Sequence, residues 1–206
     1  MYFKFKMDLI TSLKLYHKKR QTYFVFSKDI PLRFMEIVMG KNLKEQDSQR
    51  NMSSIYLTCE DKILLLYRQG SRVVNNLWIG SAGGHFEASE LNDARACVLR
   101  ELQEELGLRE DALTGLKLRY VTLRRAKGEI RVNYYFFAEL KGGTETPLES
   151  TEGTLKWFSP EELGGLEMPF TARFVVEHYL ATGRHTDVLY GGVADGDGVV
   201  FVGMEG

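Results

Sequence analysis

The sequence predicts a mixed α/β fold, and three patterns indicate that class. Short apolar runs at residues 55–59 and 63–67 flank a polar turn, which is typical of a β-hairpin. Apolar residues recur with a helical period over residues 98–106, and Gly107 follows as a typical helix stop. A second amphipathic pattern covers residues 171–181. Strands and helices therefore alternate along one chain.

Local residue preferences predict the remaining elements. Runs rich in β-formers predict strands at residues 77–79, 116–123, 130–140 and 155–158. Lys127-Gly128-Glu129 predicts the turn between the two longest of these strands. Ser159 and Pro160 favour the N-cap and the first position of a short helix. Asp-Gly pairs at residues 195–198 predict a turn or hairpin in a C-terminal tail, residues 185–206.

Three carboxylates share one side of the first predicted helix. On a wheel that advances about 100° per residue, Glu101, Glu104 and Glu105 fall within an arc of about 100°. Glu104 and Glu105 also lie at the negative end of the helix dipole, where acids destabilise a helix. A solvated helix face is the ordinary explanation of such a cluster. A bound divalent cation would instead reverse each unfavourable interaction, and an all-oxygen set suits Mg²⁺ or Mn²⁺.

Two glycines before the helix favour the metal site. Gly83 and Gly84 permit a tight loop and a close approach of the backbone to a ligand. A strand, a glycine loop and an acidic helix in this order resemble the Nudix box, G-x5-E-x7-R-E-U-x-E-E-x-G-U, where U is aliphatic. The second half of the box matches in full at Arg100, Glu101, Leu102, Glu104, Glu105, Gly107 and Leu108. The resemblance implies an α/β/α sandwich with a mixed sheet over residues 52–184.

The first half of the box departs from the family pattern. Gly84 and Glu90 have the expected spacing, but nine residues rather than seven separate Glu90 from Arg100. Two alternatives follow. Either Glu90 reaches the family position through a longer loop, or the family glutamate is missing and Asn92 or Asp93 serves as an N-cap.

The resemblance also implies the catalytic groups. Glu101, Glu104 and Glu105 would bind Mg²⁺, with Mn²⁺ as a substitute, and a carbonyl of Gly83 or Gly84 would join them. Arg100 would pair with Glu104 and hold it in place. A further acidic residue often comes from a loop outside the box. Glu152 is the first candidate here and Glu149 the second, although a loop glutamate is ordinarily only solvated.

The base of a nucleotide substrate would contact a strand. Asn133, Tyr135 and Phe137 share one side of a predicted strand and are candidates, although an aromatic strand is more often core. The whole span resembles the MutT group, which implies hydrolysis of an ordinary or oxidised nucleoside triphosphate, such as 8-oxo-dGTP, to monophosphate and pyrophosphate. Alternatives are hydrolysis of ADP-ribose or another nucleotide sugar, and a non-catalytic module that senses nucleotides or binds RNA.

Charge and composition limit the other classes. Residues 1–51 have a net charge of +6 and residues 52–206 a net charge of −7, so no DNA-binding surface is expected on the acidic body. The basic segment could lie on RNA or a membrane surface, but it is interpreted as an extension, disordered or foreign to the natural product, with Met52 as a candidate start. Two cysteines and no signal-peptide or membrane-spanning pattern favour the cytoplasm. The expected partner is a small-molecule nucleotide substrate, and the expected assembly is a monomer or homodimer.

Overall fold

The computed structural model describes residues 14–18, 21–25, 48–69 and 76–204. In the N-terminal segment, β1 (Lys14–Lys18) pairs antiparallel with β2 (Gln21–Val25) as a separate two-stranded sheet. The rest of the basic segment up to residue 47 lies outside the described residues, so its interpretation as a disordered or foreign extension stays a prediction.

One large mixed sheet organises the remainder of the described chain. Its strands are β3 (Ser48–Cys59), β4 (Lys62–Arg68), β5 (Leu77–Ile79), β6 (Leu113–Ala126), β7 (Glu129–Leu140), β8 (Gly153–Phe158), β9 (Leu189–Ala194) and β10 (Val199–Met204). The helices are α1 (Ala94–Leu106), α2 (Pro160–Leu163) and α3 (Phe170–Ala181). The spatial order is β10-β9-β6-β7-β3-β4-β5, and β8 pairs with β4.

Two pairings are parallel and the others are antiparallel. β3 runs parallel to β7, and β6 runs parallel to β9. β4 and β8 pair antiparallel along their lengths, which brings the loop before β8 to the end of β4. β9 and β10 form the hairpin expected around residues 195–198, and they extend the large sheet beyond β6.

The sheet separates two apolar clusters, and a helix covers each face. On one face α1 buries Val98, Leu102 and Leu106 against strand residues that include Ile55 and Leu57. The other face carries α3, whose Val175 and Val176 pack with aromatic residues of β3, β6 and β7. This α/β/α arrangement confirms the expected fold. No helix among the described segments is long and apolar enough to cross a membrane.

The central strand is longer than its sequence pattern indicates. β3 begins at Ser48 rather than at residue 55, because residues 48–54 pair with residues 129–135 of β7. Hydrogen bonding to a neighbouring strand, rather than an apolar run, extends it. The position proposed as a domain start, Met52, therefore lies inside a paired strand.

Candidate active site

Local signals fix both ends of α1. Asp93 is the N-cap, and its Oδ1 accepts the backbone N–H of Ala96 at 2.9 Å. Gly107 ends the helix with a φ of 66°, and its N–H donates to Gln103 O. The buried side of the helix packs on the sheet, which leaves its acidic side along the glycine loop.

Arg100 is the centre of the carboxylate cluster. It donates from Nε to Glu90 Oε1 at 2.8 Å and from Nη2 to Glu90 Oε2 at 3.0 Å. Its Nη1 donates to Glu101 Oε1 at 2.8 Å and to Glu104 Oε2 at 3.0 Å. Nη2 also reaches the carbonyl of His85 at 3.0 Å. One guanidinium thus orients three carboxylates and the residue after the glycine loop.

Glu90 reaches the cluster through a longer connection. A 3-10 turn, Ala88–Glu90, ends at this residue, whose side chain accepts the N–H of Glu87 at 2.9 Å, and a turn at residues 91–92 follows before α1. The Glu90 side chain is buried and receives two bonds from Arg100. These bonds lower the pKa of the Glu90 carboxyl to about 2, although burial opposes the shift. Glu90 therefore lies in the carboxylate cluster, and Asp93 caps the helix as well.

The glycine loop touches the carboxylates directly. The N–H of Gly83 donates to Glu105 Oε2 at 3.0 Å. A Cβ on Gly84 would lie 2.3 Å from Glu101 Oε1, and one on Gly83 would lie 2.3 Å from Ser53 O. The close approach at Gly83 requires glycine, because a side chain would meet backbone there, whereas a side chain at Gly84 would displace the carboxylate of Glu101. Because Gly84 O accepts the N–H of Ser53 at 2.9 Å, the carbonyl of Gly83 is the better candidate for a metal ligand.

Glu101 and Glu105 retain uncompensated negative charge. Burial raises the pKa of Glu105 to about 7, above its ordinary 4.5, despite the bond from Gly83. Burial also raises the pKa of Glu101, against the opposing effect of Arg100. Glu104 differs, because 57% of its side chain is exposed. A hard cation beside Glu101 and Glu105 would relieve the cost of their ionisation.

Glu152 lies at the same end of the sheet and is held by an arginine. Arg68, the last residue of β4, donates from Nη2 to Glu152 Oε2 at 2.5 Å. Arg68 lowers and Glu152 raises the pKa of Glu105 through their charges, so the three groups are neighbours. Sequence reasoning missed Arg68. Its place depends on the pairing of Arg68 with Gly153, a contact between residues far apart in the chain.

Two of the three proposed base contacts lie in the core. Tyr135 is 4% exposed and stacks on Tyr56, with ring centroids 6.3 Å apart, on the sheet face that α3 covers. Phe137 stacks on Tyr179 in the same core. Asn133 is partly exposed and pairs with Met52 of β3, which bridges to the residue after the glycine loop. Burial in the core explains why the aromatic pattern of this strand arises without a ligand.

Other side chains lie beside the glycine loop. Arg50 donates to the ring of His85, whose pKa is lowered by burial and by the charge of Arg50. The ring of Phe86 lies 5.1 Å from that of Tyr134. Sequence reasoning did not single out these side chains, because Arg50 reaches the loop through the backbone bonds between β3 and the loop, and Tyr134 through the pairing of β7 with β3.

The donor set fits a hard cation, although it is not arranged around one. Within the described segments, no group of three His, Cys, Asp or Glu side chains is close enough to hold a metal ion. Arg100 draws Glu101 and Glu104 toward itself, and Glu105 turns to Gly83. The oxygen ligands and the two raised carboxyl pKa values still match what Mg²⁺ or Mn²⁺ would stabilise.

Two clefts of the described structure lie away from the carboxylates. One of about 330 Å³ and one of about 220 Å³ share Thr58 and Tyr179 in their linings. Thr58 lies near the end of β3, whereas the glycine loop meets this strand at Ser53. Cavity shape therefore does not identify the carboxylate site, which is open and defined by charge.

Comparisons with known proteins agree with the geometry. A NUDIX domain model matches residues 48–179. The MutT protein of Bacillus halodurans has a similar structure, with a TM-score of 0.53 and 24% identity over 70% of this chain and 88% of that one. A NUDIX hydrolase from Nitrosomonas europaea has a TM-score of 0.54 and 15% identity, over 88% of this chain and 93% of that one. The NUDIX domain of Shewanella oneidensis NrtR, solved with ADP ribose, has a TM-score of 0.51 and 15% identity, over 74% of this chain and 98% of that one.

These identities are too low to show more than a shared fold, and no curated protein matches the chain. The match to the domain model is stronger evidence, because it spans well over half of the 206 residues. It begins where β3 begins and includes the glycine loop, the whole of α1 and Glu152. On that match the chain belongs to the Nudix family of hydrolases.

Proposed function

We propose that the protein hydrolyses a nucleoside diphosphate-linked substrate with Mg²⁺, or with Mn²⁺ in its place. One observation carries the proposal. Glu101 and Glu105 lie against Gly83 and Gly84 with raised carboxyl pKa values, while Arg100 orients the rest of the cluster. The net charge of the cluster is negative even when Arg100 is included, so the site favours a cation. A bound cation would in turn bind the phosphates of the substrate.

Each residue has a distinct part in this proposal. Glu101, Glu104, Glu105 and the carbonyl of Gly83 would hold the metal. Bound there, Mg²⁺ would neutralise phosphate charge and acidify a water molecule. Arg100 keeps the carboxylates in place, and its two bonds to Glu90 fix the guanidinium.

Glu105 and Glu152 would have different tasks. Glu105 Oε2 accepts the N–H of Gly83, so its Oε1 is the atom that would bind the metal. Glu152 is oriented by Arg68 at the same end of the sheet and would position a water molecule. Neither role needs a side chain from the core of the domain.

The substrate class is a nucleoside triphosphate, with 8-oxo-dGTP as the leading candidate, cleaved between the α and β phosphates to monophosphate and pyrophosphate. The sequence resemblance to the MutT group supports this choice, and so does the fold shared with a protein named MutT. The fold shared with a domain that binds ADP ribose supports the alternative, hydrolysis of ADP-ribose or another nucleotide sugar.

A nucleotide panel tests the proposal. The full chain is incubated with ordinary and oxidised nucleoside triphosphates, ADP-ribose and nucleotide sugars, with Mg²⁺, with Mn²⁺ and with a chelator, and the products are separated. Metal-dependent release of monophosphate and pyrophosphate from a triphosphate is the expected result. A preference for ADP-ribose would change the proposed substrate but not the proposed metal-dependent hydrolysis. No turnover of any compound with either metal would contradict the proposed enzymatic activity and favour a non-catalytic module.

The position of bond cleavage is tested separately. In ¹⁸O-water, attack at the α phosphorus labels the monophosphate, whereas attack at the β phosphorus labels pyrophosphate. We expect the label in the monophosphate. Release of single phosphate from a triphosphate would contradict the MutT-like reaction.

A further inference from the structure

The cleft of about 220 Å³ lies apart from the carboxylates. Its lining includes Lys117 and Arg119 of β6, together with Thr58 at the end of β3. The glycine loop bonds to β3 at Ser53, and five residues of extended strand separate the two points by about 16 Å. The cleft is therefore a second place in the molecule, with its own charged groups.

Arg119 reaches this cleft because of a β-bulge. Leu118 pairs with Phe136 and Tyr120 pairs with Tyr135, so Arg119 is the extra residue between two consecutive partners. A bulge of this kind redirects a side chain and interrupts the alternation of the strand. Tyr120 accordingly joins the cluster under α3, while Leu118 packs with the cluster under α1.

The guanidinium of Arg119 is enclosed but lacks a counter-ion. The residue is 7% exposed, and Nη2 donates to Gly183 O at 2.6 Å and to Thr186 O at 2.5 Å. Its Nε is buried without a hydrogen-bond partner. Among the described residues no carboxylate lies within ion-pair distance of Arg119.

A buried cation in this state is unfavourable without an anion. Removing a charge from water costs several kcal/mol, and two carbonyl oxygens return only part of that. Arg68 and Arg100, by contrast, each contact a carboxylate. The two carbonyl bonds of Arg119 also tie β6 to the segment after α3, so a structural role explains the bonds but not the unpaired Nε.

We infer that this cleft binds a small phosphate-type oxyanion between Arg119 and Lys117. Lys117 lies at the rim with half of its side chain exposed, and its Nζ bonds to Asp187 Oδ1 at 2.6 Å, an exposed contact that an anion can replace. Glu139 also lines the cleft and is exposed, so an anion that displaces Asp187 from Lys117 would meet two cations and one solvated carboxylate. The volume is below that of typical nucleotide-sized pockets, which selects phosphate or pyrophosphate.

Calorimetric titration of the full chain with inorganic phosphate tests the inference. A chelator is present throughout, so that metal-mediated binding at the carboxylates is absent, and sodium chloride of equal ionic strength is the blank. We expect one saturable site. Arg119→Gln should weaken phosphate binding about tenfold or more, and Lys117→Gln should weaken it several-fold. Pyrophosphate in a parallel titration shows which of the two anions the cleft prefers.

Two variants with the same change of charge serve as controls. Arg173→Gln alters an exposed arginine of α3 that pairs with Glu177, and Arg50→Gln alters the arginine beside His85 at the carboxylate end. Both should bind phosphate like the unaltered chain. If Arg119→Gln does not fold, the phosphate affinity of Lys117→Gln alone tests the inference.

Absence of phosphate binding to the unaltered chain would overturn the inference, and so would affinity unchanged by Lys117→Gln or lost equally in Arg50→Gln. The titration needs no substrate and no metal, so its outcome is independent of the proposed hydrolysis.

Discussion

Two arginines withdrawn from solvent, Arg100 beside the glycine loop and Arg119 beside the segment after α3, have opposite surroundings. Arg100 contacts Glu90, Glu101 and Glu104, and its end of the molecule remains negative after the arginine is counted. Arg119 contacts only carbonyl oxygens. Arg100 thus holds several carboxylates in place, whereas Arg119 has no carboxylate partner among the described residues.

The difference shows how a site is recognised when no ligand is bound. Beside Arg100 the carboxylates outnumber the arginine, and burial raises the pKa of Glu101 and Glu105. Within the described part of the chain, Arg119 has no direct ion pair, and its Nε has no hydrogen-bond partner. Each imbalance indicates the charge of the group that would complete the site, a cation in the first case and an anion in the second.

The largest expected effect is on turnover at the Arg100 end. Glu105→Gln should lower kcat by about 10²-fold or more while the protein stays folded, because it removes a metal-binding carboxylate. Steady-state kinetics with Mg²⁺ on the best substrate of the panel measures it. Glu110→Gln is the matched control, since Glu110 forms an exposed pair with Arg95 next to the same helix. Near-normal turnover of Glu101→Gln, Glu104→Gln and Glu105→Gln alike would show that this end is not a metal site.

A smaller effect on turnover is expected at Glu152. Glu152→Gln should lower kcat by about tenfold and raise KM less, because the carboxylate would orient water rather than bind the nucleotide. Glu149→Gln, a change at an exposed residue of the same loop, is the control and should leave both constants unchanged. Equal effects of the two substitutions would assign the loss to the loop rather than to the Arg68–Glu152 pair.

The ion pair between Arg100 and Glu90 should contribute to the free energy of unfolding. Glu90→Gln removes both charged bonds to Arg100, so we expect a loss of about 2 kcal/mol in the free energy of unfolding at pH 7, measured with denaturant. The Glu90 pKa is about 2 in the folded protein and about 4.5 ordinarily, so its contribution is present above pH 4.5 and disappears as the pH falls toward 2. The difference between Glu90→Gln and the unaltered chain should therefore vanish in acid; a difference constant from pH 7 to pH 2 would contradict the ion pair.

The smallest effect has the opposite sign. Glu105 has a raised pKa of about 7, so its ionisation destabilises the metal-free fold progressively from pH 4.5 to 7 and fully above pH 7. Glu105→Gln should therefore raise the melting temperature by a few degrees at pH 8 with a chelator, and leave it unchanged at pH 4. Calorimetry at the two pH values measures this. Equal melting temperatures of Glu105→Gln and the unaltered chain at pH 8 would mean that ionised Glu105 does not destabilise the metal-free protein.

Local sequence determined much of this protein. The helical period and Gly107 predicted α1 and its end, and the spacing of Glu101, Glu104 and Glu105 placed them along one side, because a helix repeats over a few residues. Turn residues likewise predicted the hairpins between β3 and β4 and between β9 and β10. The glycine pair predicted a tight loop, and in the structure Gly83 and Gly84 lie against β3 and Glu101.

Tertiary structure decided the rest, because it depends on contacts between distant residues. Pairing of β4 with β8 brings Arg68 to Glu152, and the 3-10 turn brings Glu90 to Arg100 despite the altered spacing. The face of β7 that carries Tyr135 became core only when α3 covered it. The bulge that enclosed Arg119 has no local signature, since an extra residue in one strand is defined only by the register of its partner.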